Sequence, residues 1–132
     1  RRRDTAGSSA TLAADEYGRA LGALTARGET ATNDSFDGLI THLATVHPSR
    51  YIKMLEGVDV IGLSDVTVLH DQMAALRLVA FIDRVYDAEI PLLQTGVPLS
   101  EVFDDEMLGG GYRKKYLRSV SRLIALTAGE LP

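Results

Sequence analysis

Residues 58–96, VDVIGLSDVTVLHDQMAALRLVAFIDRVYDAEIPLLQTG, decide the fold class. VDVIGL (58–63) is short, apolar and β-branched, the composition of a buried strand. His70 to Asp87 follows at helical length. Its Met73, Leu76, Leu78, Val79, Phe81, Ile82, Val85 and Tyr86 cover most of the helix circumference, so this helix packs on more than one side. IPLLQTG (90–96) then reads as a second strand. Strand, long helix, strand is a βαβ unit, most economically with parallel strands. Two strands do not make an independent doubly wound sheet. Either further strands lie in the N-terminal third, or the chain is part of a larger domain.

Upstream, Phe36, Leu39, Ile40 and Leu43 recur at i, i+3, i+4 and i+7, a buried helical face with Asp34 or Ser35 as cap. Pro48 suits the first turn of a short helix that turns Tyr51, Met54 and Leu55 inward and ends at Gly57. Residues 1–34 are small and polar; Leu12, Tyr17, Leu21 and Leu24 give one weakly amphipathic helix over roughly 9–27, with Ser8 or Ser9 near its cap. Gly28 to Asp34 reads as a loop. Downstream, Pro98 opens a short helix through Phe103, and Gly109-Gly110-Gly111 leads into a basic helix.

Charge is unevenly spread. The chain has 132 residues and a net charge of −4, yet Arg113, Lys114, Lys115, Arg118 and Arg122 fall in one stretch without an acid. The remaining nine bases stand against 18 acids. An acidic body with one basic helix carries a directional field, and it disfavours nucleic acid as a partner, since such binders are basic over a whole face. No apolar run reaches the ~18–20 residues of a membrane span. Arg1-Arg2-Arg3 is not followed by the apolar core of a signal peptide. The absence of cysteine removes disulfides, thiolate catalysis and thiolate metal sites, and suits a reducing cytoplasm.

No catalytic constellation is complete. A phosphate-binding loop needs GxxxxGK[ST]; here the three glycines are adjacent, the lysines come later and no Ser or Thr follows them, so a hinge between helices is the expected role. His42, His47 and His70 have no metal-ligand spacing. Asp65 stands just past a buried strand, where α/β proteins hold metals or bases, but Val66 follows it instead of a second acid. Ser119 and Ser121 have no histidine nearby in sequence and no GxSxG context. On a helical wheel Lys114, Lys115, Arg118 and Arg122 share an arc of about 100°, while Tyr116, Leu117, Val120, Leu123 and Ile124 occupy the opposite one. The helix is expected to dock its apolar arc and present a basic one. Arg77, amid apolar residues, is expected to have an acidic partner.

Read in order, residues 36–126 resemble the C-terminal part of the ZapE-like AAA+ P-loop ATPases, a bacterial cell-division family with mitochondrial relatives of the ATPase-family-gene-one type. The residues that carry the likeness are Phe36-Asp37, Arg50-Tyr51, Asp65-Val66, Arg77, Ile82-Asp83, Tyr86-Asp87, Pro98 and Ser121-Arg122-Leu123. The sharpest piece is RLVAFIDRVYDAEIPLL with SRL at the family distance. Gln94-Thr95-Gly96 stands where Ser-Ala is usual, and Ala125-Leu126 replaces Glu-Met.

The resemblance implies an α/β fold, a βαβ unit of a P-loop-like three-layer sheet with flanking helices, within a larger domain. It implies that Walker A, Walker B and the first sensor lie N-terminal to this region. Residues 1–34 would be a weakly ordered or helical lead, 35–128 the C-terminal α/β region of a P-loop ATPase, and 129–132 a tail. The intact protein would be cytoplasmic and hydrolyse ATP with Mg²⁺ in cell division. Its partners would be its own P-loop core, the tubulin-like division protein and further copies of itself. This chain alone would be neither catalytic nor bound to a cofactor or metal. Arg77, Arg118, Arg122, Lys114 and Lys115 are the candidates for sensing nucleotide or binding a partner. The alternative is a free-standing α/β interaction module that takes an acidic partner on the basic helix, 113–122.

Overall fold

The structure, a computed structural model, describes residues 11–128. A three-stranded parallel sheet forms from β1 (Ala31–Ser35), β2 (Val60–Val66) and β3 (Leu92–Gly96), in that spatial order. Helix α1 (Ala14–Ala26) touches β1 and β3 on one face. The opposite face carries α2 (Phe36–Thr45), a 3-10 helix (Pro48–Leu55), α3 (Gln72–Asp87) and α5 (Arg113–Thr127). A 3-10 turn (Leu99–Glu101) and the one-turn α4 (Asp105–Leu108) connect β3 to α5. The result is α/β and three-layered, as the βαβ reading requires.

The sheet alternates as a buried parallel sheet should. Ile61, Leu63 and Leu92 join the main core with Leu78, Ile82, Leu99, Leu123 and Leu126. Val60 and Gly62 belong to the other face, under α1, where the Tyr17 hydroxyl donates to Asn33 Oδ1 at 2.9 Å. Gly62 is required there: a Cβ would sit 2.6 Å from the Tyr17 oxygen and 2.7 Å from the Thr32 carbonyl oxygen. Gln94 is 1% exposed, and satisfies itself by donating to the Val97 carbonyl and accepting from the Leu99 N–H.

Three sequence expectations need adjustment. Residues 31–35, read as loop, form edge strand β1, because β2 supplies a parallel ladder in register from Ala31↔Val60 to Ser35↔Ser64. The N-terminal helix starts at Ala14, where Glu16 accepts the Ala13 N–H, rather than near residue 9; Ser8 and Ser9 lie outside the described residues. The short helix read from Pro98 through Phe103 is a 3-10 turn over Leu99–Glu101. The short helix at Pro48–Leu55 is present and is 3-10, the strand read at 58–63 runs Val60–Val66, and α2 and α3 stand where periodicity placed them. Ser35 caps α2, Asp71 caps α3, and Gly57 ends its segment at φ 75°.

Candidate functional site

The carboxyl-side corner of the fold, where α4 turns into α5, gathers the unusual chemistry. Asp104 starts it. One of its oxygens accepts the Met107 N–H at 2.9 Å, capping α4, and the other lies 3.0 Å from His70 Nδ1. Those interactions, the Met107 amide first and His70 next, hold the Asp104 carboxyl below its usual range. The glycine run is a hydrogen-bonded turn. Gly109 and Gly110 donate back into α4, to the carbonyls of Asp105 and Met107, and the Arg113 N–H donates to the Gly110 carbonyl as α5 begins.

Helix α5 then begins the wrong way round for its dipole. Its first turn carries Arg113, Lys114 and Lys115, no acid, and no side chain that caps it. Cations at the positive end of a helix raise its energy, so this end holds a concentrated positive field. Arg113, Lys114, Lys115 and Arg118 are exposed, and none forms an ion pair among the described residues.

Arg122 behaves differently from the rest of its arc. It pairs with Asp83 of α3 at 2.5 Å, lies 4.9 Å from the centre of the Tyr86 ring, and its side chain is only 27% exposed. It ties α5 to α3. Arg77 is half-buried on α3 without an ion pair among the described residues; the expected acidic partner is not there, and its charge falls instead on the neighbouring Tyr51 phenol. The docked face of α5 is Tyr116, Ser119, Leu123 and Leu126, with Val120 beside it. Leu117 and Ile124 were expected in that face, yet they are 37% and 51% exposed. The helix is rolled toward Ser119, which places this apolar pair beside the basic arc.

Beside the turn lies a cleft of about 160 Å³ lined by residues that include His70, Asp104, Glu106, Tyr112 and Tyr116. Tyr116 is 1% exposed, with its ring 4.8 Å from that of Phe103, and its hydroxyl has no hydrogen-bond partner among the described residues. Sequence reasoning missed this grouping. His70 and Asp104 are 34 positions apart, and the Leu69–Phe103 bridge brings them together. Asp65 sits at the end of β2 with φ 57°, its N–H donated to Thr95 Oγ1 at 2.8 Å. Among the described residues no three His, Asp or Glu side chains are grouped to hold a metal, and no helix is long and apolar enough to cross a membrane.

The model of the AFG1-like ATPase family covers residues 8–131, nearly the whole chain. No curated protein and no solved structure matches.

Proposed function

The chain belongs to the AFG1-like ATPase family, and from that premise we propose that it is the C-terminal α/β region of an ATPase whose phosphate-binding loop lies elsewhere. The intact protein uses ATP and Mg²⁺, and it acts in the cytoplasm during cell division. The region takes in α1 and β1 as well as the elements after residue 35, since both close the same sheet. What supports the division of labour is that a family match spanning 8–131 coincides with a sequence lacking GxxxxGK[ST].

The observation that carries a role for this region is the uncapped, unpaired basic start of α5. Four exposed cations on an acidic body, with Leu117 and Ile124 alongside, suit an acidic protein surface: the tubulin-like division protein or another copy of the ATPase. Arg118, Lys114 and Lys115 are the contact residues. Arg122 holds α5 on α3. Arg77, half-buried and without an ion pair among the described residues, is the side chain available to a phosphate brought by the nucleotide-bearing core.

Lys115→Glu with Arg118→Glu in the intact protein tests this. Partner-stimulated ATP hydrolysis is expected to fall while unstimulated hydrolysis persists; equal stimulation in the double variant would sink the assignment. A second reading, a free-standing interaction module, is favoured by the core being closed on both sheet faces. It keeps the same contact residues and predicts partner binding by this chain without any nucleotide.

A further inference from the structure

We infer that the cleft between α4 and the start of α5 is a recognition site for the guanidinium or ammonium head of a side chain, carried on a peptide segment with an acidic neighbour. The reading rests on the cleft itself and stands independently of the function proposed for the basic helix.

The lining selects for a cation. Asp104 and Glu106 are both carboxylates, and the sole basic group on the wall is His70, already engaged with Asp104. Asp104 uses one lone pair on each oxygen, for Met107 and His70, so each oxygen keeps a further acceptor site. Glu106 is exposed and in no ion pair among the described residues. Tyr112, 42% exposed, adds a phenol ring, whose face attracts guanidinium and ammonium groups.

The second, independent mark is the Tyr116 hydroxyl. A buried hydroxyl without a partner is costly to leave unmade, and this one belongs to a residue that lines the cleft. Burial first, then Tyr112 and Asp104, both on the cleft wall, push its phenol up. A donor arriving in the cleft supplies what that oxygen lacks. The volume, about 160 Å³, takes a guanidinium with part of its stem.

The surroundings choose the source. Gly110, Gly111 and Tyr112 also line the shallow surface that carries Arg113, Lys114 and Lys115. A free polycation would meet those three charges as it approached. An arginine flanked by a glutamate or aspartate places its cation in the cleft and its carboxylate on the basic rim.

Titration of the chain with acetyl-Glu-Arg-Glu-amide, followed by amide shifts of Gly110 and Gly111 in NMR, tests the inference. Acetyl-Glu-Arg-Glu-amide is expected to bind saturably and more tightly than acetyl-Arg-amide. The citrulline analogue, neutral and nearly the same shape, and spermidine are both expected to bind weakly. Tyr116→Phe removes one oxygen from a packed ring; it is expected to keep or raise the melting temperature and to weaken binding about tenfold. Glu106→Gln, on the exposed rim, is expected to weaken binding without unfolding risk. Citrulline binding equally well, spermidine binding best, no saturable shift with any probe, or unchanged affinity in Tyr116→Phe would each overturn the assignment.

Discussion

A single missing methyl group fixes how α1 lies on the sheet. Gly62 occupies the middle of β2, directly under the Tyr17 phenol and beside the Thr32 carbonyl, so Gly62→Ala must move backbone as well as a side chain. The expected loss is about 1–3 kcal/mol in urea unfolding. Tyr17 itself reports the same contact through pH. Burial first, then the Asp34 and Asp65 carboxylates, push its phenol from 10.0 up to about 12. The folded state therefore favours the protonated phenol more than the unfolded chain does. That stabilisation is complete below pH 10 and drains away as pH rises toward 12, by up to roughly 2–3 kcal/mol. Tyr17→Phe is expected to flatten this alkaline limb of the stability profile. Gly62 was legible only as a glycine inside a strand pattern; the reason for it comes from a helix about 40 residues earlier in the chain.

Between α3 and α5, Arg122 and Asp83 form a half-buried pair with Tyr86 under the guanidinium. Arg122→Ala is expected to cost about 1–3 kcal/mol, and a double-mutant cycle with Asp83→Asn to show most of that as coupling. The first turn of the same helix predicts the opposite sign. Replacing Lys114 and Lys115 with Glu complements the dipole, and each change is expected to stabilise by about 0.3–1 kcal/mol in thermal unfolding. Loss of partner binding in that more stable variant would mark the cations as functional, because stability is being given up to keep them. At this scale the sequence was legible wherever periodicity or capping alone decides, as in α2 and α3. It failed at ATNDS, residues 31–35, whose Asn and Asp favour turns. Pairing with β2 overrides that preference, and pairing between residues some 30 positions apart leaves no local trace. The wheel of α5 also misled, because Ser119 and not Leu117 or Ile124 was turned inward by the neighbouring helices.

The described residues form a parallel sheet sealed by α1 on one side and by α2, α3 and α5 on the other, with a run of exposed cations at the start of α5. The α/β class and the family were both readable from residues 36–126 in order. The cleft at His70, Asp104 and Tyr116 was not, since its walls come from the loop before α3, from α4 and from α5. On the proposed reading this region belongs to an ATPase and leaves phosphate binding to another segment, and equilibrium titration of the folded chain with fluorescent ATP and ADP in the presence of Mg²⁺ decides it. No saturable binding is expected while circular dichroism shows the fold intact. Micromolar binding, abolished by Arg122→Ala or by reversing Lys114 and Lys115, would contradict it and place a nucleotide site on α5.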